Sequence, residues 1–164
     1  MAEPAQFIVY GDGLPDHTEE PTVRGNGLVE ARRGAITVFT GAQYDWVSVA
    51  VEQTDTTPSA PGQQWTDIVE VSFAVRNGKL RIGTVDLGPK PSSPNFATPG
   101  VVDYRIRFAV RGRDEAWAYA SSGQGGTEPH VLEYHSLTIW PAPQSAPTVV
   151  RLSDATGAAY RPPT

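Results

Sequence analysis

The sequence predicts an all-β protein: a single-domain antiparallel β-sandwich of about eight strands, with a closed β-barrel as the alternative. Three observations carry this. Apolar residues alternate with polar ones at period two in several segments, most regularly at Tyr104–Arg111, where Tyr104, Ile106, Phe108 and Val110 share one parity and Arg105, Arg107 and Arg111 the other. Gly 16 and Pro 15 favour turns and short strands over long helices. No segment sustains three turns of apolar 3.6 periodicity. At 164 residues the chain suits one domain, residues 1–164, with flexible termini.

In order, Gln6–Tyr10 (QFIVY) reads as a first strand, and 11–27 as a polar loop. Leu28–Ala31 and Ala35–Thr40 form a strand pair broken at Arg33-Gly34. Trp46–Gln53 (WVSVAVEQ) places Val47, Val49 and Val51 on one side and Trp46, Ser48 and Ala50 on the other. A loop spans 54–64. Val69–Val75 and Leu80–Val85 flank Arg76-Asn77-Gly78-Lys79, and Asn-Gly is the signal of a type I′ hairpin. The four prolines of 88–100 rule out a helix there. After the Tyr104–Arg111 strand, 113–120 has room for a turn of helix, and Ser121–Pro129 reads as a flexible loop. Glu133–Trp140 is a further strand, stopped by Pro141-Ala142-Pro143, and Thr148–Leu152 a last edge strand.

With 39% hydrophobic and 19% charged residues the chain is able to build a core. Its formal net charge of -5 argues against a general nucleic-acid binder, which gains its affinity by neutralising phosphates. Absence of cysteine removes disulfides, thiol catalysis and cysteine zinc sites. The residues from Met1 onward show neither a basic segment nor an apolar run of signal type, and no stretch of membrane-spanning length follows, so a cytoplasmic location is expected.

Chemistry-bearing patterns are sparse. Arg105, Arg107 and Arg111 are expected on the wet face of their strand, in cross-strand pairs with carboxylates. An anionic-ligand patch is the sharper reading, and Asp103, Asp114 and Glu115 beside them weigh against nucleic acid. His17, His130 and His135 lack ligand spacing, no G-x-S-x-G elbow occurs, and the glycine clusters lack a strand-to-helix context. Neither metal nor cofactor is expected. Residues 1–30 carry Glu3, Asp12, Asp16, Glu19, Glu20 and Glu30 against Arg24, which equals the charge of the whole chain. The Asp16–Glu20 loop (DHTEE) therefore reads as an exposed acidic element suited to a basic partner surface.

The order of elements resembles the competence protein J family, inhibitors of a bacterial DNA-entry nuclease. The likeness lies in Phe7–Gly13 (FIVYGDG), Arg32–Gly41 (RRGAITVFTG), Trp46–Gln53, Val69–Val85 (VEVSFAVRNGKLRIGTV), Val101–Phe108 (VVDYRIRF) and Glu133–Pro143 (EYHSLTIWPAP). In its Ala, Gly, Pro and Arg content the chain looks like a distant, actinobacterial-type relative. The resemblance implies inhibition by binding, without chemistry. The expectation is an interaction protein, a nuclease inhibitor or toxin-immunity protein that occludes a partner's active site. Asp16, Glu19 and Glu20 are its expected partner-binding acids and Trp117 and Tyr119 its expected anchors. The alternative is a carbohydrate- or other ligand-binding sandwich stacking its ligand on Trp65, Trp117 or Trp140.

Overall fold

The computed structural model describes residues 5–43, 45–123 and 130–163. The outermost termini and the glycine-rich part of the 121–129 loop, both expected to be flexible, lie outside the described residues. In chain order the elements are β1 (Gln6–Tyr10), β2 (Val29–Arg32), β3 (Ala35–Phe39), β4 (Trp46–Gln53), β5 (Asp67–Ala74), β6 (Arg81–Thr84) and β7 (Gly88–Pro89). There follow β8 (Asp103–Arg111), α1 (Arg113–Ser121), β9 (Val131–Pro141), β10 (Thr148–Arg151) and α2 (Ala155–Tyr160).

The strands form two five-stranded sheets, ordered β2-β3-β1-β6-β7 and β10-β5-β8-β9-β4, and neither closes into a barrel. Their inward faces share one apolar cluster, to which Phe7, Val9, Leu28 and Ile36 contribute from one side and Val69, Val71, Ile106 and Phe108 from the other. Period two builds it. On β8 and its two neighbours, Val69↔Phe108↔Leu137 and Val71↔Ile106↔Ile139 stand in register as rows across the sheet. Each such side chain contributes about 1.5–3 kcal/mol on burial. Tyr104, Ile106, Phe108 and Val110 are all buried, as their parity predicts.

Three expectations are corrected. The Asn-Gly turn does not make a hairpin: β5 pairs with β8 and β10, whereas β6 pairs with β1 and β7, so the turn carries the chain from one sheet to the other. A type I′ turn needs positive φ at both central residues. Here only Gly78 has it (φ 69°), and Asn77 instead accepts from the Lys79 N–H through Oδ1 at 2.9 Å while Asp12 Oδ1 accepts from the N–H groups of Arg76 and Asn77 at 2.7 and 2.8 Å. The second sheet is mixed, not antiparallel, because β4 runs parallel to β9.

The third correction concerns the wet face. Arg105 and Arg107 do stand on the parity opposite the core, yet they are 6% and 9% exposed. Two loops cover them. Arg107 donates to Glu70 Oε1 at 2.8 Å and to the Ser59 carbonyl at 2.6 Å, and its guanidinium lies 5.8 Å from the Trp140 ring centre. Arg105 donates to Ser72 Oγ, the Ser145 carbonyl and Thr148 Oγ1. The carboxylate partner was expected; the roof over it was not. Arg111 alone of the three is exposed, over the Tyr134 ring at 4.1 Å.

Candidate functional site

The Asp16–Glu20 loop is exposed along its length. It is held by Arg32, at the end of β2, whose Nη1 donates to the carbonyls of Asp16 (3.3 Å) and Glu19. Asp16 Oδ1 accepts from the Thr18 hydroxyl at 2.6 Å and the Thr18 N–H at 2.9 Å. Those two hydrogen bonds hold the Asp16 carboxyl below its ordinary value, so it is ionised at neutral pH. Glu20 pairs with Arg24 at 2.8 Å, an exposed ion pair of little energetic weight. Folding also sets Arg33 and Arg76 on the rim of the same hollow as Asp12 and Glu19, so the acidity counted along the sequence is partly balanced in space.

Trp117 and Tyr119 lie on α1. Trp117 is 39% exposed and packs edge-on against Tyr160 of α2, with ring centres 6.4 Å apart. Tyr119 stacks on His130 at 5.1 Å. Tyr160 in turn packs on Phe39 and donates to the Thr40 carbonyl at 3.1 Å. That places Trp117 at the Phe39 end of β3. The acidic loop is tied through Arg32 to the Ala35 end, its register partner. Four residue steps of strand, about 13 Å, separate the two ends. The expected acids and the expected anchors are therefore tied to opposite ends of β3.

Below α1 lies a polar cluster that periodicity alone does not reveal. Arg113, fully buried, donates through Nε to Asp154 Oδ2 (2.7 Å), through Nη2 to Asp67 Oδ2 (2.8 Å) and Asp154 Oδ1 (2.9 Å), and through Nη1 to the Gly27 carbonyl (2.8 Å). Asp67 Oδ1 accepts from the N–H groups of Ser153 and Asp154. Asp154 caps α2 by accepting from Gly157 N–H at 2.6 Å. Alongside, on inward positions of β9, Glu133 accepts from the N–H groups of Gly41 and Ala42 and lies 2.6 Å from His135 Nε2. His135 is thus buried. Every carboxylate of these two groups is saturated by fixed donors and closed to solvent, so their role is to lock the α1 and α2 end of the molecule. Among the described residues no group of three or more His, Asp or Glu is arranged to hold a metal ion.

A cleft of about 600 Å³ opens between β4 and the β6–β7 edge. Phe7, Val47, Val49, Val51, Ile82 and Phe96 line it, with Trp46 (62% exposed), Asp45 and Lys90 among its rim residues. The signal for it was present in the strict alternation of Trp46–Gln53, read as one more core strand. Among the candidate sugar platforms, Trp140 is 3% exposed beneath Arg107 and offers no open face.

Comparison with protein-family models, curated proteins and solved structures finds no match to this chain. No helix among the described residues is long and apolar enough to cross a membrane.

Proposed function

We propose that this chain is an interaction protein that neutralises a basic enzyme, a nuclease or nucleolytic toxin, by covering its active cleft. The observation that carries the reading is the braced acidic loop: Arg32 fixes its backbone, and Asp16 and Glu19 project from it into solvent. Carboxylates presented on a fixed backbone imitate the phosphates such a cleft binds. They speed encounter by about 10–10³-fold at low salt. The contact surface centres on the loop, with Trp117 and Tyr119 toward the far end of β3.

The test is inhibition of DNA cleavage by a secreted DNA-entry nuclease, with the parent protein compared to the triple variant Asp16→Lys, Glu19→Lys, Glu20→Lys. The reading expects nanomolar inhibition by the parent and at least about a tenfold weaker effect of the variant at low ionic strength, the gap closing as salt rises. Equal inhibition by both proteins rejects the acidic loop. A lack of inhibition by the parent across a panel of such nucleases rejects the partner class.

A further inference from the structure

We infer that β4 is a docking strand: an extended segment of a partner protein lies along it as a sixth strand of the second sheet and fills the 600 Å³ cleft. The inference is independent of the acidic loop.

Hydrogen bonding comes first. Among the described residues β4 pairs only with β9. Thr54 donates to the Ile139 carbonyl, which sets the parity: even-numbered residues of β4 point their backbone groups toward β9, and Val49, Val51 and Gln53 point theirs outward. Those outward N–H and C=O groups form a ready template. Exposed edges are ordinarily blunted by prolines, lysines or shortness. Eight residues long, β4 contains neither proline nor lysine, and its one charge, Glu52, comes near its end.

The layering supplies the space. β2 lies over β5, Phe7 of β1 meets the His135 ring of β9 at 5.0 Å, and Ile82 of β6 faces the valines of β4 across the cleft. Counted outward from there, β7 has no strand opposite it among the described residues. A strand added beside β4, about 4.8 Å further out, would stand under β7 and the 90–96 segment, with alternate side chains directed into the cleft.

Charge and shape select the occupant. Lys90, which donates its N–H to the Ile82 carbonyl, lines the cleft on the side of β6. Among the described residues it has no ion-pair partner. An inward carboxylate on the incoming strand therefore complements it, with apolar residues two positions to either side against the valines of β4. A second copy of this chain does not fit. Docked β4 to β4, it would bring its own β6 into the space that β7 overhangs. A lone segment of about seven residues spans Val47–Gln53 without that collision.

The probe is a capped heptapeptide, TVTETVT, titrated into the isotopically labelled full chain and followed by amide resonances and amide exchange. Slowed exchange is expected at Val49 and Val51, with affinity about fivefold higher than for TVTKTVT, whose central charge is reversed. Val49→Glu, which sets a like charge against the peptide's inward glutamate and offers Lys90 a rival partner, should abolish binding. Ala50→Lys, on the opposite face, should preserve it, and unchanged resonances elsewhere confirm that both variants fold. The Asp16, Glu19 and Glu20 triple reversal should leave peptide binding intact, which separates this site from the acidic loop. The inference is overturned by unprotected Val49 and Val51 amides at millimolar peptide, by equal binding of Val49→Glu, or by equal affinity for the two peptides. Concentration-dependent dimerisation that protects the same amides without peptide also overturns it, in favour of a second copy.

Discussion

Replacing Arg113 with methionine tests the buried cluster most directly. Methionine keeps much of the length of the side chain and removes its charge and all its donors. Arg113 has no exposed surface, and its guanidinium meets three carboxylate oxygens within 2.9 Å as well as the Gly27 carbonyl. Its loss leaves Asp67 and Asp154 facing each other with only the more distant Arg161, 4.0 Å from Asp67 Oδ2, as a counter-charge. Breaking a buried pair in this way costs about 3–5 kcal/mol, a large part of the about 5–15 kcal/mol that stabilises a typical fold. At this chain length each kcal/mol moves the melting temperature by about 2–4 °C, so a fall of about 6–20 °C is expected. The assay is thermal and urea unfolding followed by circular dichroism near neutral pH. A second variant separates charge from packing. Arg113→Met combined with Asp67→Asn and Asp154→Asn removes the unpaired charges and retains the oxygens that accept from Ser153, Asp154 and Gly157. It should recover more than half of the loss. A melting temperature of Arg113→Met within about 3 °C of the parent would refute the reasoning, as would a triple variant no better than the single one.

Gly157→Ala places a methyl group against Arg113 Nη2 and 2.7 Å from both Asp154 Oδ1 and Asp67 Oδ2. Although alanine is the better helix former, overpacking should lower stability by about 1–3 kcal/mol in a urea titration. Asp114 feels opposing influences: burial raises its carboxyl, but hydrogen bonds from Ala155 N–H, Thr156 Oγ1 and Thr156 N–H, with Arg113 nearby, outweigh it and hold the carboxyl below 3.8. The stability it adds is present above that value and disappears as pH falls through the lowered one. The melting-temperature gap between the parent and Asp114→Asn, under about 1 kcal/mol in this exposed setting, should therefore close on acidification below pH 4. Arg107→Leu removes the tie to Glu70 and to the Ser59 carbonyl. It should cost about 2 kcal/mol and open the 54–64 loop to thermolysin, which limited proteolysis followed by mass spectrometry reads.

Local pattern determined most of the strands and little of their arrangement. Alternation at Tyr104–Arg111 placed the apolar parity correctly because burial of four large side chains dominates any other contribution there. The same alternation says nothing of what covers the opposite parity. The roof over Arg105 and Arg107 comes from Ser59 and Ser145, residues 48 and 40 positions away, in loops whose composition reads as solvent-exposed. Asn77-Gly78 marks a reversal truthfully, but a reversal is compatible with pairing in one sheet or with crossing between two. Asp12, 64 residues earlier, takes the backbone donors of the turn and belongs to neither flanking strand. The α2 helix carries one signal in the sequence, Asp154 as an N-cap three residues before Gly157, and six residues are too few to add periodicity to it.

The split of the expected site has a similar physical origin. Trp117 and Tyr119 are expected as anchors beside a glycine-rich loop and the acids for their charge in a polar loop, and expected exposure is all they have in common. Arg32 and Tyr160 determine where those elements lie, and they grip opposite ends of one strand. The fold thus has a polar, hydrogen-bond-saturated end at α1 and α2 and an acidic, arginine-braced end at the 16–20 loop. Between them, along one side, runs an unpaired edge at β4. A locked end resists rearrangement, and that rigidity keeps the other two surfaces in fixed relation. Loosening the Arg113 cluster should accordingly weaken binding at the loop and at β4 only through global unfolding, in proportion to the unfolded fraction. Affinity lost by Arg113→Met at temperatures where the protein remains fully folded would instead place the α1–α2 end inside a contact surface.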